Sequence, residues 1–398
     1  NEGLMPTPLS AGRVDLMPVP ERHGSTGIDN SSMHFSPTDT AFMQQALAEA
    51  EASMHITTPN PRVGCVIVSP DGRLLGQGHT QAAGQAHAEI MALRQAQQTH
   101  DVRGATAYVT LEPCAHQGRT GPCCDALIQA GIARVVVSVI DPNPLVAGQG
   151  IARMQAAGVK VELGLLGDQA QDLNLGFFKR MTQGTPWMRL KVAQSLDGHT
   201  ALTNGVSQWL TGALARADGH AWRARACAIL TGMGTVRQDN PLLNVRDVNT
   251  PRQPDLWVVD SRLETPLDAA LWSVPRRLYM VHAERNAERE AALRDQGATL
   301  VALPNPQHKV DLAALVAHLG QAPYNEVHIE AGEKLNGSLL QAGLVDELLV
   351  YQAPMLTGPG QGLAALPPRQ GLEGLPRWRF HEVQAVGEDL RLRLRRAS

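Results

Sequence analysis

Three residue types recur here in an order that suits metal chemistry: His87-Ala88-Glu89, then Pro113-Cys114, then Cys123. Imidazole and thiolate are donors zinc favours, and a catalytic zinc takes three protein ligands and leaves a fourth position for water. His87, Cys114 and Cys123 supply that set. Such an ion lowers the pKa of a bound water to about 7. Glu89 is then the candidate proton shuttle, taking a proton from water and returning protons to a ring nitrogen and a leaving amine. Alone, a His-x-Glu pair is usually a surface feature and a cysteine a buried hydrophobe; the ordered set, lying between strand and helix patterns, argues for a site.

Geometry restricts where these residues can sit. Residues i and i+2 do not share a helical face, so His87 must stand at the very start of its helix if Glu89 is to reach the same ion. Gly84 permits the turn that this requires. Pro122-Cys123 enters the next helix, whose N-terminus favours thiolate. Cys65, inside the apolar run 63–68, reads as core, as does Cys227. Cys124 should point away from the ligands. His116 either touches substrate or faces solvent.

The bulk numbers set the frame. A chain of 398 residues suggests two or three domains. Apolar content of 43% is ordinary for a globular protein, and no run approaches the roughly 18 apolar residues of a membrane span. A formal charge of -3 and a pI near 6.6 argue against broad nucleic-acid binding. Five cysteines, two of them adjacent, do not form a secreted disulfide pattern, so a reducing cytoplasm is expected. Residues 1–35, rich in Pro, Gly, Ser and Met, are expected to be a disordered extension; Glu2, Asp15, Glu21 and Asp29 argue against a transit peptide.

Order is expected from Ser36-Pro37-Thr38-Asp39, a cap, a first-turn proline and an acidic first turn. Strands are predicted at 63–68, 74–75, 105–111, 134–140 and 159–163, and helices at 87–98, 123–130, 149–157 and 168–180. The alternation implies a sheet between helices. Gln183-Gly184-Thr185-Pro186 breaks it, giving domains at 36–182 and 187–398. In the second, strands are predicted at 187–194, 228–231, 256–260, 278–282, 299–303, 326–330, 347–352 and 389–395. Helices are predicted at 211–226, 284–296, 311–319 and 337–343.

The general arrangement His-x-Glu…Pro-Cys-x-x-Cys marks zinc deaminases, but here the cysteines are separated by eight residues. His87-Ala88-Glu89 with Thr110-Leu111-Glu112-Pro113-Cys114-Ala115-His116-Gln117-Gly118-Arg119-Thr120-Gly121-Pro122-Cys123 closely resembles the riboflavin-biosynthesis bifunctional deaminase–reductase family. So does Asn60-Pro61-Arg62-Val63-Gly64. The resemblance continues through Lys191–Gly198, Ser207-Gln208-Trp209, Gly232-Met233-Gly234-Thr235, Asp239-Asn240-Pro241 and Glu330-Ala331-Gly332.

That resemblance implies a cytidine-deaminase-like three-layer domain followed by a dihydrofolate-reductase-like α/β domain. It implies zinc in the first and NADPH in the second, although no Gly-x-Gly-x-x-Gly follows a strand. Carried over by position, Ala193, Trp209, Thr235, Asp239 and the run Gly332, Glu333, Lys334, Leu335, Asn336, Gly337 and Ser338 line the cofactor. Ser207, Arg223, Leu243, Arg246 and Glu330 hold substrate, the arginines suiting a 5′-phosphate. Lys191, on the first strand beside the expected hydride path, is expected to polarise the opened ribose or steady an imine-like intermediate; the rival reading is a structural strand lysine. Arg223, near Arg216 and Arg225, has a solvated helix face as its rival. Asn60 is a ring-recognition candidate, with a turn-forming asparagine as its equal rival, and Arg119 and His116 are candidates for a phosphorylated substrate.

The expected partners are small phosphorylated pyrimidines, without nucleic acid or membrane, and a homo-oligomer is left open. Two other function classes place different demands on the sequence. A nucleic-acid base deaminase with an RNA-binding half needs a basic, aromatic-rich surface. A non-enzymatic structural zinc protein needs a fourth ligand, for which His116 and Cys124 are the nearby candidates.

Overall fold

The computed structural model describes residues 35–116 and 121–397. Of the expected extension over residues 1–35, residues 1–34 lie outside the described residues, as does Arg119. From Ser36 the chain follows the predicted start: the Ser36 hydroxyl accepts from the Asp39 N–H at 3.0 Å, and the Asp39 carboxylate accepts from the Ser36 N–H at 3.0 Å.

The N-terminal half runs α1 (Pro37–Ala52), β1 (Gly64–Val68), β2 (Leu74–His79), α2 (Ala88–Gln97), β3 (Thr106–Val109), α3 (Cys123–Gln129), β4 (Arg134–Val137), α4 (Gln149–Ala156), β5 (Lys160–Leu163), α5 (Gly167–Leu173) and α6 (Leu175–Gln183). Its sheet has the order β2-β1-β3-β4-β5. Strand β1 is antiparallel to both neighbours, and β3, β4 and β5 are parallel.

Alternation along the strands decides which residue meets which layer. Cys65, Ile67, Ala107, Val109, Val135 and Val137 pack with Ala88 and Ala92 of α2, Leu127 of α3 and Met154 of α4. Their neighbours Val66, Val68, Tyr108 and Val136 pack with Met43 and Ala46 of α1. Both faces are covered, which makes this a three-layer domain and explains the unbroken apolar runs. Helix α1 lies so close that a Cβ on Gly64 would stand 1.8 Å from the Ala46 carbonyl oxygen.

The helix predicted over 168–180 is two helices. Asn174, at φ -120°, interrupts it. Its amide turns inward, accepting from the Arg62 N–H at 2.7 Å and donating to the Arg62 carbonyl at 2.8 Å. Pairing the buried main chain ahead of β1 outweighs helix continuity.

The C-terminal half runs β6 (Trp187–Gln194), β7 (His199–Leu202), α7 (Ala213–Arg225), β8 (Ala228–Gly232), α8 (Met233–Asp239), β9 (Asp255–Val259), β10 (Leu278–His282), α9 (Ala287–Asp295), β11 (Ala298–Ala302), α10 (Leu312–Gln321), β12 (Glu326–Ile329), α11 (Glu333–Gln341), β13 (Glu347–Gln352), β14 (Gly360–Gly362), β15 (Trp378–Val386) and β16 (Asp389–Arg396). The described chain falls into two compact units. One comprises the described residues up to Met188 together with Ala221–His328; the other comprises Arg189–His220 and the described residues from Ile329 onward.

In the first unit, strands β11, β10, β9, β8 and β12 follow one another in that order, β8 to β11 being parallel. Their core gathers Ile229, Leu256, Val258, Met280 and Leu293. In the second unit, β6 and β13 are parallel, β13, β16 and β15 are successively antiparallel, and β7 pairs with β14. Glu347, on β13, is wholly buried against Arg189 at 2.9 Å, Arg393 at 3.0 Å and Arg395 at 3.2 Å.

Helix α8 has no counterpart among the predicted helices, and α11 starts earlier than the sequence pattern indicates. Gly232 is an extended N-cap and Met233 opens α8; Gly332 is likewise extended, and α11 starts at Glu333 rather than near 337. Gly337 lies inside α11, where a Cβ would stand 2.2 Å from the Ala365 carbonyl oxygen, so only glycine fits. Strands β7, β14 and β15 were not anticipated. Most of β15 is open to solvent, and β14 has only three residues, so neither carries a strong alternation.

Candidate active site

His87 is the N-cap of α2, with extended backbone at φ -78° and ψ 167°, three residues after Gly84 at φ 89°. Its ring therefore leaves the chain before the helical rotation begins, and Glu89 follows in the first turn. Cys123 opens α3, and its N–H donates to Cys114 Sγ at 3.3 Å. Cys114 Sγ lies 3.7 Å and Cys123 Sγ 3.4 Å from His87 Nδ1. The three donor atoms all fall within 4.8 Å of one another. One imidazole and two sulfurs so gathered fit a zinc ion with an open position.

Among the described residues no fourth His, Cys, Asp or Glu joins the group. Cys124, the proposed alternative, is buried in the core beside Leu127, its sulfur 3.7 Å from Asp125 Oδ1. His116 is exposed. The structural-zinc reading therefore lacks its fourth ligand.

The electrostatics are those of a closed site. Burial, with Cys114 adding to it, raises the Glu89 carboxyl from 4.5 to about 7; only 3% of the residue is exposed. A hydrogen bond from Cys123 holds the Cys114 thiol well below its usual range, against burial, while the same sharing and burial raise Cys123. The hydrogen bond to Cys114 raises His87, which burial opposes. A bound cation would displace the protons these donors carry.

Glu112, unremarked in the sequence beyond its place in the motif, braces this corner. Its buried carboxylate accepts from the N–H groups of Asp141 at 3.1 Å, Gly148 at 2.9 Å, Gly150 at 2.9 Å and Ile151 at 3.2 Å. The loop before α4 is thereby tied to the residue two before Cys114. A buried glutamate ahead of Pro-Cys was the only signal, and sequence does not reveal which main chain it meets.

Asn60 lies in a turn closed by its own N–H to the Thr57 carbonyl at 2.8 Å, directly ahead of β1. Cys65 and Cys227 are buried, as expected. All five cysteines are free.

The residues assigned to reduction fall in both units. Lys191, Ala193, Ser207, Trp209, Glu330 and Gly332–Ser338 belong to one; Arg223, Thr235, Asp239, Leu243 and Arg246 belong to the other. Lys191 Nζ lies 3.7 Å from Glu330 Oε2. Trp209 is exposed, and the Arg216 guanidinium lies 4.6 Å from its ring centroid. Asn336 is buried, donating to the carbonyls of Ala331 at 3.2 Å and Leu363 at 2.9 Å. In the other unit, Arg223 and Arg246 meet at Asn244: the first donates to its carbonyl at 2.9 Å, the second to its Oδ1 at 3.2 Å. Leu243 is buried at φ 49°.

Residues 36–139 match the cytidine and deoxycytidylate deaminase zinc-binding region, and residues 186–392 match the RibD C-terminal domain. The riboflavin biosynthesis protein RibD of Escherichia coli (strain K12) is 45% identical over 371 residues, spanning 89% of this chain and 99% of that protein. The chain belongs to the RibD family.

A solved RibD structure from Acinetobacter baumannii is 41% identical with a TM-score of 0.82, covering 91% of this chain and 99% of that one. A Thermotoga maritima structure, described as a diaminohydroxyphosphoribosylaminopyrimidine deaminase/5-amino-6-(5-phosphoribosylamino)uracil reductase, is 28% identical with a TM-score of 0.79, covering 90% of this chain and 99% of that one. The RibD-family chain studied here is thus a bifunctional riboflavin-biosynthesis enzyme, a zinc deaminase domain followed by a reductase domain of mixed α/β sheets. No helix among the described residues is long and apolar enough to cross a membrane.

Proposed function

We propose that the first domain hydrolyses the 2-amino group of 2,5-diamino-6-(ribosylamino)-4(3H)-pyrimidinone 5′-phosphate. The second domain then reduces the ribosyl group of 5-amino-6-(5-phosphoribosylamino)uracil to ribityl with NADPH. In the first step water adds at the amine-bearing carbon and ammonia leaves. The observation that carries the reading is the buried Glu89 beside the gathered donors of His87, Cys114 and Cys123.

Zinc, held by those three side chains, supplies an activated water. Glu89 does the proton work. With its carboxyl raised to about 7 by burial, it can take up a proton and give one back near neutrality. Its place in the first turn of α2 keeps it beside the ligands without being one. Asn60 reads the pyrimidine ring, and His116 and Arg119, within the sequence between Cys114 and Cys123, help hold the phosphorylated substrate.

For the second step NADPH supplies the hydride. Ala193, Trp209, Thr235, Asp239 and the opening of α11 from Gly332 to Ser338 hold the cofactor. Ser207, Arg223, Leu243, Arg246 and Glu330 hold the sugar phosphate. Lys191, kept near Glu330, polarises the opened ribose. The domains meet at residues 183–186, where α6 ends on Gly184 at φ 73°. The enzyme works on small molecules in the cytoplasm, without nucleic acid or membrane.

Incubating the purified protein with the diamino compound, with and without NADPH, tests the reading. Ammonia should appear in both cases, and NADPH should be consumed only after it. NADPH loss without prior ammonia, or no ammonia at all, would sink the assignment.

A further inference from the structure

We propose that Asn325 and Glu326, where the chain enters β12, position the Thr57–Arg62 turn of the deaminase domain, so that residues of the reductase half shape the substrate end of the deaminase site. The inference rests on the reading of Asn60 as a substrate contact, because Asn60 lies within this turn.

The turn is closed locally by the Asn60 N–H to the Thr57 carbonyl. Closure alone would need nothing further, yet residues 58, 59 and 62 are each held by a residue from beyond the linker. Thr58 Oγ1 meets Cys227 Sγ at 3.6 Å. The Pro59 carbonyl accepts from Asn325 Nδ2 at 3.1 Å and from Arg180 at 3.1 Å, and Arg180 donates to Asn325 Oδ1 at 2.8 Å. Arg62 Nη1 donates to Glu326 Oε1 at 2.7 Å, and the other carboxylate oxygen accepts from Arg225 at 2.8 Å. Arg62 is also fixed from its own half, donating to the carbonyls of Leu173 at 2.9 Å and Met54 at 3.2 Å.

Arg62 and Glu326 are 4% and 1% exposed. A buried ion pair is weak evidence for stability, but it imposes one geometry on the segments that carry it. Both sides of Asn60 are therefore registered against residues 225–227 and 325–326. The backbones approach closely as well: a Cβ on Gly176 would stand 2.3 Å from the Asn325 carbonyl oxygen. A ring-reading side chain needs such support, since misplacement by about 1 Å can cost on the order of 10²-fold.

The test uses the full chain and Asn325→Ala, which removes the amide and spares the ion pair. Ammonia release is measured against diamino-substrate concentration, alongside zinc content, thermal midpoint and reduction of supplied aminouracil. The expected result is a KM raised roughly tenfold with kcat little changed, and zinc content and reductase activity unchanged. The same change made in an Asn60→Ala background should add nothing, because the two act through one contact. Should Asn325→Ala fail to fold, Cys227→Ala removes the Thr58 contact and is read in the same way. A normal KM in Asn325→Ala beside a raised KM in Asn60→Ala overturns the inference and leaves the reading of Asn60 intact. Additive losses overturn it too. An Asn60→Ala protein with normal KM removes the reading of Asn60 and the inference with it.

Discussion

His87, Cys114 and Cys123 meet although they sit on two helix starts and a loop, and each start has a physical reason. His87 precedes the helical rotation as the N-cap of α2, and Cys123 is the first residue of α3 after the N-cap Pro122. The purified chain should carry about one zinc, and Cys114→Ser or Cys123→Ser should abolish it, as measured by metal analysis. Full loading of Cys123→Ser would show the wrong sulfur was chosen. Glu89→Gln preserves shape and burial but cannot carry a proton. It should keep zinc and lose ammonia release by about 10²–10⁴-fold; near-normal release would remove Glu89 from the shuttle role. These residues were legible in the sequence because donor chemistry and order constrain them so tightly. Glu112 and Arg62 were not, since their partners at Gly148–Ile151 and Glu326 come from distant chain that no local pattern points to.

At the scale of elements, periodicity revealed what burial writes into the chain. The strands of the deaminase sheet were legible because both of their faces are covered, whereas the open β15 leaves little apolar alternation to read. Asn174 split a helix for a tertiary reason, the pairing of Arg62's main chain, which no propensity announces. Strand β13 carries a testable case of strand-to-strand charge pairing. Burial alone would raise the Glu347 carboxyl, but Arg189 and Arg393 lower it from 4.5 to about 2. A depressed folded-state value contributes stability above the unfolded value, and that contribution fades as pH falls toward the folded one. Glu347→Gln should therefore cost about 3–5 kcal/mol at pH 7, and thermal melts should show the gap from the parent protein closing as pH drops from about 4.5 toward about 2. A gap that persists at low pH would assign the loss to packing instead. Arg246, which shares Asn244 with Arg223, belongs to the same scale. Arg246→Ala should lower kcat/KM for the phosphorylated sugar by about 1.5–3 kcal/mol of binding while NADPH affinity, read by titration, stays near normal. Equal losses would move the arginine to the cofactor site or the fold.

For the whole molecule, the two chemistries should separate by substitution even where the folded chain does not separate by cutting. The zinc donors and Glu89 all come from residues before the break at 183–186, and Lys191 and Asp239 come from after it. Glu89→Gln should therefore still reduce aminouracil supplied with NADPH. Lys191→Ala with Asp239→Ala should still release ammonia while consuming little NADPH. Failure of a folded Glu89→Gln protein to reduce supplied aminouracil would mean the sites are coupled or shared. Ending the chain at residue 186 is a different operation, because it removes the Glu326 carboxylate that pairs with Arg62 in the full chain. Losing such contacts matters because only roughly 5–15 kcal/mol holds a domain folded. The shortened chain should bind zinc yet melt well below the parent, and Arg62→Met within it should recover part of the loss by removing the stranded charge. If the shortened chain melts as high as the parent, residues 187–398 contribute nothing to the deaminase fold; if Arg62→Met lowers it further, the unpaired charge is not the cause of the loss and the latch at Glu326 is incidental.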